Sequence, residues 1–176
     1  MASLNDRHKL VWRQPTTQQV HPLPSNITRE FIPTLLGDLE ILCSNPPDTI
    51  AQHRRVLFFQ HGGFGHAAVW LPFLTYFAKR GYRCYALSLR GHGASWDPGF
   101  WGLVWWTGKG DMRDDLAKGV EWVKKKEARE REDGFGEEDL ILVGHSAGGG
   151  MVQDYLGRGG RVGGLVLVAA IPFSGG

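Results

Sequence analysis

The chain has 176 residues, of which 42% are hydrophobic and 22% are charged, and its formal net charge is +2. This length suits one domain with a sizeable core, and the composition excludes a disordered chain over most of the length. The small net charge gives no argument for nucleic-acid binding, because lysine, arginine and glutamate mix along residues 124–138 instead of forming a basic cluster.

Cysteine usage and hydropathy bear on the compartment. Cys43 and Cys84 each fall in an expected strand, so we expect buried thiols in a reducing compartment and no disulfide framework. Residues 1–10 lack the apolar stretch of a signal peptide, and no run approaches the roughly 18 apolar residues of a membrane span. We therefore expect a cytoplasmic protein without a membrane span.

The chain begins with a polar stretch, residues 1–28, to which we assign no chemistry. Residues 31–36 and 39–43 are then two apolar stretches on either side of Gly37-Asp38, a two-residue turn signal, and predict a β-hairpin. We place a single domain at residues 29–176.

The next segment predicts a buried strand, a helix and a second strand. Residues 56–59 are continuously apolar, which suits a strand buried on both faces. Apolar residues then recur at helical spacing over residues 70–78, with Pro72 in the first turn and Gly81 as a stop signal. Residues 82–89 form the following strand.

The remaining chain continues this alternation. A helix is expected over residues 111–126, with Asp111, Asp114 and Asp115 as caps near its N-terminal end. Residues 140–143, 148–156 and 164–171 then predict a strand, a helix and a strand. Such alternation predicts an α/β fold, with a mostly parallel sheet and helices on both faces.

A serine stands at one of the predicted strand-to-helix junctions. The sequence Gly144-His145-Ser146-Ala147-Gly148 follows the apolar strand, and small residues continue to Gly150, where the helix backbone must pass close to its neighbours. This context predicts a nucleophile elbow, in which a sharp turn exposes the serine hydroxyl. The alternative is a plain turn in which Ser146 has no chemical role.

Three loops together resemble those of the α/β-hydrolase family. HGGF at residues 61–64, RGHG at residues 90–93 and GHSAG at residues 144–148 follow successive predicted strands in the family's order. The resemblance covers roughly residues 30–173 and implies the N-terminal portion of an α/β-hydrolase fold, preceded by the β-hairpin. It implies serine esterase or lipase-like chemistry, and a serine nucleophile argues against dehalogenases and epoxide hydrolases.

The resemblance also assigns roles to residues. Ser146 becomes the nucleophile, and the backbone N–H groups of Ala147 and of Gly63 or Phe64 become an oxyanion hole. The alternative for the HGGF loop is a tight turn without a catalytic role. No cofactor and no metal are implied, and the implied partner is a small hydrophobic ester or lipid.

The upstream histidines are structural in this family. We therefore expect His61, His92 and His145 to support the loops around Ser146, and His66 to cap a helix or face solvent. Asp154 lies about two helical turns beyond the elbow, too far to orient an imidazole above Ser146.

Indole side chains crowd the segment after the RGHG loop. Two interpretations stay open: the aromatic residues line an acyl pocket or cap, or they pack over the sheet edge. The tryptophans are Trp96, Trp101, Trp105 and Trp106, with Phe100 between them.

The chain departs from the family pattern after Ser146. The family supplies an acid and then a histidine after the nucleophile, whereas no histidine follows Ser146 here. We therefore expect an incomplete hydrolase domain that is inactive alone, whose last strand exposes an edge that favours self-association. Two alternatives remain: a non-catalytic short form that binds a hydrophobic ligand or partner chain, and a perhydrolase or lyase on the same elbow.

Overall fold

The computed structural model describes residues 22–172, so most of the expected polar lead-in lies outside the described residues. Within this range the strands form one six-stranded sheet in the order β1-β2-β4-β3-β5-β6. The strands are β1 (Ile27–Ile32), β2 (Leu39–Ser44), β3 (Val56–Gln60), β4 (Cys84–Leu87), β5 (Leu140–His145) and β6 (Gly164–Val168). The pairs β1–β2 and β2–β4 are antiparallel, and the other pairs are parallel.

The three helices that the sequence predicts are present, and a short additional helix precedes the longest of them. The helices are α1 (Leu71–Ala78), α2 (Gly99–Trp101), α3 (Lys109–Glu130) and α4 (Ala147–Gly157). Short 3-10 helices over Ala67–Trp70 and Glu137–Asp139 precede α1 and β5, and a π-helical turn, Gly102–Trp106, follows α2. We call residues 99–106 the tryptophan segment.

Two hydrophobic clusters lie on the two faces of the sheet. Leu116 and Val152, from α3 and α4, pack with Phe58 on one face, whereas Leu74 of α1 packs with Phe59 on the other. Successive strand side chains point to opposite faces, so every residue of β3 is buried. The α/β prediction with helices on both faces is therefore confirmed.

The predicted hairpin is present, but its turn differs. Strands β1 and β2 pair with Ile32 opposite Leu39, so residues 33–38 connect them instead of two residues. Pro33 has no N–H to donate to the ladder, which explains why β1 ends before it. Strand β1 also begins at Ile27, inside the stretch expected to be a lead-in.

The prediction of three capping aspartates at the start of α3 is wrong for two of them. Asp111 does cap the helix, because its carboxylate accepts the Gly108 N–H at 2.9 Å. Asp115 is instead buried, and its two carboxylate oxygens each accept a 2.8 Å hydrogen bond from Arg90. Asp114 is exposed beside Arg113. The Asp115–Arg90 pair joins α3 to the RGHG loop.

Two further expectations concern the thiols and the membrane. Cys43 and Cys84 are free and buried in β2 and β4, as predicted. Across residues 22–172, none of the helices combines the length and apolar character that crossing a bilayer requires.

Candidate active site

Ser146 occupies a strained position between β5 and α4. Strand β5 ends at His145, α4 begins at Ala147, and Ser146 between them has φ 52° and ψ −123°. L-residues rarely adopt this conformation, which costs on the order of 1–3 kcal/mol and persists only where the surroundings fix it. The serine itself is partly exposed.

Hydrogen bonds from neighbouring segments hold this conformation. The Ser146 N–H donates to the carbonyl of Val168 at 3.1 Å, and its carbonyl accepts the N–H of Ile171 at 3.1 Å. The same carbonyl accepts the Gly149 N–H at 3.0 Å. The turn is thus fixed by β6 and the residues after it as well as by α4.

The glycines around Ser146 permit close backbone approach. A Cβ on Gly144 would lie 2.7 Å from Cα of Gly149, and one on Gly149 would lie 2.3 Å from Cβ of Ala170. A Cβ on Gly148 would lie 2.2 Å from the carbonyl oxygen of His61. Any side chain at these three positions would push the packed backbones apart. The expected need for a small residue does not extend to Gly150, where a Cβ would meet only the Ile171 carbonyl oxygen at 3.4 Å.

The HGGF loop lies against this turn. A Cβ on Gly62 would lie 2.9 Å from Cβ of Ser146 and 3.1 Å from Nδ1 of His145. Phe64, two residues further on, has φ 61° and is fully exposed. Ala147 begins α4, where the first backbone N–H groups have no acceptor within the helix. The loop, Ser146 and the start of α4 therefore lie side by side.

His61 supports the HGGF loop through both ring nitrogens. Its Nε2 accepts the Leu89 N–H at 3.2 Å, so Nδ1 carries the proton and donates it to the Gly62 carbonyl at 2.7 Å. Burial lowers the pKa of His61 to about 4, although the hydrogen bond to Gly62 opposes the shift. His61 is therefore a neutral structural histidine near neutral pH.

The other histidines are held at the margins of the site. The His92 ring lies 5.1 Å from the His61 ring, and its Nδ1 lies 2.9 Å from the Arg90 carbonyl. His66 caps the 3-10 helix before α1 as predicted, because its Nδ1 accepts the Ala68 N–H. His145 is exposed and packs edge-on to Trp70.

Asp154 is engaged at the far end of α4. Its carboxylate accepts a 2.7 Å hydrogen bond from Arg158 and lies 3.6 Å from a guanidinium nitrogen of Arg113. The carboxylate therefore forms ion pairs that link α3, through Arg113, to the C-terminal end of α4, through Arg158.

The four tryptophans singled out in the sequence do not share one environment. Trp96 packs against Gly37 and against the core, and its backbone N–H, not its indole, donates to the Asp38 carbonyl at 2.8 Å. Trp101, Trp105 and Trp106 are 65%, 69% and 78% exposed. Trp96 is therefore a core-packed residue, whereas both interpretations of the exposed tryptophans, a substrate pocket or packing over the sheet edge, stay predictions.

A buried carboxylate that sequence reasoning missed positions the loop after β4. Glu40 is 3% exposed, accepts the Ser88 hydroxyl at 2.7 Å, and accepts the Ala94 N–H at 2.9 Å. Arg29 donates to its other oxygen at 2.6 Å. The signal in the sequence is an acidic residue within the apolar strand Leu-Glu-Ile-Leu, which needs buried partners.

Comparison with known proteins settles the family. The family described as "Serine aminopeptidase, S33" matches residues 51–173, a range that includes the HGGF loop, the RGHG loop and Ser146. The chain belongs to the α/β-hydrolase family. The resemblance expected from the three loops is thereby confirmed.

Curated α/β-hydrolases of bacterial origin are similar to this chain. A non-heme haloperoxidase of Rhodococcus erythropolis is 33% identical over 120 residues, which are 67% of this chain and 38% of that protein. A bifunctional esterase/perhydrolase of Acinetobacter calcoaceticus is 34% identical over 122 residues, 66% of this chain and 37% of that protein. The chain thus spans less than half the length of either relative.

A solved structure shows the same fold. A thermostable carboxyl esterase of Bacillus coagulans superimposes with a TM-score of 0.64 at 20% sequence identity. The match covers 82% of this chain and 44% of the esterase. The chain therefore has the architecture of part of an α/β-hydrolase fold.

Proposed function

We propose that this α/β-hydrolase is a serine hydrolase that cleaves a small hydrophobic ester or a lipid ester, with Ser146 as the nucleophile. The observation that carries the proposal is the strained backbone of Ser146 on a glycine-packed turn beside the HGGF loop. The names of similar proteins, which include an esterase/perhydrolase and a carboxyl esterase, support this class of reaction.

The proposed reaction passes through an acyl-enzyme. The Ser146 oxygen attacks the ester carbonyl carbon, the alcohol leaves with a proton, and the acyl group stays on the serine. Negative charge collects on the carbonyl oxygen in the tetrahedral intermediate. The N–H groups of Ala147 and of Gly63 or Phe64 are the proposed donors to that oxygen, and each such donor contributes about 2.7–4 kcal/mol.

The proposed nucleophile requires a base that this sequence does not supply after Ser146. Residues 147–176 contain no histidine, His61 uses both ring nitrogens, and Asp154 is paired with arginines. In a serine protease of another fold, removing the base lowers turnover by about 10⁶-fold. We therefore expect the 176-residue chain to acylate slowly unless a base is added.

The acyl-enzyme can be released by two nucleophiles. Attack of water on the acyl carbon gives a carboxylic acid and restores the serine, whereas attack of hydrogen peroxide gives a peracid. The second reaction is favoured as an alternative because two similar proteins are named a haloperoxidase and an esterase/perhydrolase. Formation of a peracid that requires both hydrogen peroxide and Ser146 would distinguish this perhydrolysis from simple hydrolysis.

A second candidate function is non-catalytic association with another chain through β6. Its Leu165, Val166, Leu167 and Val168 are 39–47% exposed, which leaves apolar side chains uncovered on both faces of the edge strand. An exposed apolar edge favours pairing with a second strand. The same strand holds Ser146 through the Val168 carbonyl, so association at this edge is compatible with the hydrolase proposal.

The test of the hydrolase proposal is covalent labelling of the chain with a fluorophosphonate. We expect the label on Ser146, and we expect added imidazole to accelerate labelling because it supplies the missing base. The measurement is the rate of label incorporation, with the modified residue located by peptide mass spectrometry.

The matched control is Ser146→Ala with the same imidazole concentrations. It should lose both the label and the imidazole-dependent increase while keeping the circular dichroism spectrum of the unsubstituted chain. Labelling that persists in this variant, or label found only on other residues of the folded chain, would overturn Ser146 as the nucleophile.

A further inference from the structure

We propose that the tryptophan segment is a docking surface for a zwitterionic lipid surface, such as a phosphatidylcholine bilayer. A role of the tryptophan segment in presenting lipid esters to Ser146 rests on the proposed function, whereas the docking of the segment on the lipid surface does not. The proposal follows from where the segment lies, how its indoles are exposed, and which chemical groups it offers.

The tryptophan segment is packed onto the loops that surround Ser146. A Cβ on Gly91 would lie 2.8 Å from Cδ1 of Leu103, so the segment rests directly on the RGHG loop. The next residue, His92, has its ring 5.1 Å from that of His61. His61 precedes Gly62, which contacts Ser146. Both loops follow the carboxyl ends of parallel strands. The segment and Ser146 therefore lie at the same end of the sheet, the end where β3, β4 and β5 terminate.

The segment presents large aromatic surfaces to solvent. Trp101, Trp105 and Trp106 are 65%, 69% and 78% exposed. Trp105 and Trp106 follow Trp101 by four and five positions, about one turn of a π-helix, so all three belong to one short helical stretch. Large exposed apolar side chains that lie close together in a fold mark interaction sites.

The Phe64 side chain adds a fourth exposed aromatic ring at the same end of the sheet. It is fully exposed, and its φ of 61° is one that a bulky residue rarely adopts. It belongs to the HGGF loop that contacts Ser146. Phe64 therefore places a further exposed aromatic ring on the loop beside the proposed nucleophile.

The chemistry of the segment favours a lipid interface over a protein surface. Residues 98–108 contain no charged side chain, which matches the zero net charge of a zwitterionic headgroup layer. Their one hydroxyl, on Thr107, donates to the Gly102 carbonyl within the segment. Apart from the indole N–H groups, Thr107 has the one polar side chain among residues 98–108, whereas protein interfaces form about one hydrogen bond per 100–200 Å². Tryptophan is instead enriched at the bilayer interface, where its apolar ring and polar N–H meet both environments.

The experiment measures co-sedimentation of the folded 176-residue chain with phosphatidylcholine vesicles. The test variant is Trp105→Ala/Trp106→Ala, and the matched control is Phe73→Ala/Tyr76→Ala, which removes two half-exposed aromatics from α1. We expect the vesicle partition coefficient to fall about tenfold or more in the test variant and less than about twofold in the control. Thermal unfolding verifies that both variants fold, and Trp105→Phe/Trp106→Phe replaces the test variant if it does not.

Three outcomes overturn the docking proposal. They are an unsubstituted chain that does not sediment with vesicles, equal losses in test and control variants, and tryptophan-dependent self-association without vesicle binding. The last outcome would assign the segment to a second copy of the chain. Fluorophosphonate labelling of the unsubstituted chain with added imidazole is measured separately. Vesicle binding without Ser146 labelling supports the docking and overturns the hydrolase proposal, whereas Ser146 labelling without vesicle binding overturns the docking and supports the hydrolase proposal.

Discussion

Burial of one imidazole makes the stability of the fold depend on pH. His61 is neutral, with both ring nitrogens bonded to backbone groups, and burial lowers its pKa to about 4 from an ordinary value of 6.5. The unfolded chain therefore binds a proton that the folded chain does not, between these two pKa values. The contribution of His61 is fully present above about pH 6.5 and is lost as the pH falls toward about 4.

We predict that His61→Gln reduces the loss of stability on acidification. Between about pH 7.5 and about pH 5, the buried histidine lowers the free energy of unfolding by on the order of 2 kcal/mol, whereas an amide does not titrate. Urea unfolding at several pH values measures the difference in slope between the two proteins.

The control for this measurement is His66→Gln, which removes an exposed imidazole close by in sequence. It should retain the full pH dependence of the unsubstituted chain. Equal slopes for the unsubstituted chain and for His61→Gln would show that His61 does not couple folding to protonation.

At the residue scale, sequence reasoning located positions whose chemistry is local. The position of Ser146 at the end of a strand and the start of a helix follows from the glycines and the apolar strand beside it in the sequence. These neighbours create its environment in the structure, whereas its role as nucleophile stays a prediction. Asp115 was misjudged as a cap because its partner Arg90 is 25 residues away. A carboxylate near a helix start has the same sequence pattern whether it caps the helix or pairs with a distant guanidinium.

Helix α4 shows how an element can depend on residues that are poor helix formers. Gly148 and Gly149 lower helix propensity, yet they let α4 approach the His61 carbonyl and Ala170. The contact places Ser146 and the HGGF loop side by side. The element is therefore stabilised by its packing and not by its intrinsic propensity.

We predict opposite effects for alanine at two glycines of α4. Gly148→Ala should lower the free energy of unfolding by about 1–3 kcal/mol, because its Cβ would meet backbone atoms that cannot rotate away. Gly157→Ala should leave stability unchanged or raise it by up to about 1 kcal/mol, because its Cβ meets open space and alanine favours the helix.

Chemical denaturation of the two variants measures this contrast. Because both substitutions add one methyl group to the same helix, the difference between them reports packing at Gly148 and not helix propensity. A Gly148→Ala protein as stable as Gly157→Ala would refute the close approach of α4 to the HGGF loop.

Among the elements, periodic ones could be predicted and irregular ones could not. The strand β3 and the helix α1 follow from a continuous apolar run and from helical spacing, and the structure confirms both. The tryptophan segment has no clear periodicity in the sequence, and in the structure its Leu103 packs on Gly91 of the RGHG loop, a contact between residues that follow different elements. The hairpin turn was misplaced because Pro33 ends β1 early, while Gly37 packs on the distant Trp96.

At the scale of the whole molecule, the sheet is covered unevenly. The central strand β3 is entirely buried, whereas Leu165, Val166, Leu167 and Val168 of β6 are 39–47% exposed at one edge. The alternation of strands and helices predicts a mostly parallel sheet, whereas it leaves the order of the strands open. The degree of exposure on both faces could only come from the packing of the folded chain.

We predict that the chain self-associates through β6 and that Val166→Lys weakens this association. A lysine on an edge strand opposes pairing with a second strand, so the dissociation constant should rise about tenfold or more. Stability should change little, because Val166 is 47% exposed. Sedimentation velocity over a range of protein concentrations gives the dissociation constant. Val69→Lys is the matched control, since Val69 is 49% exposed on the 3-10 helix before α1, away from the sheet edge. A chain that stays monomeric at every concentration, or equal weakening by both lysines, would rule out β6 as the contact.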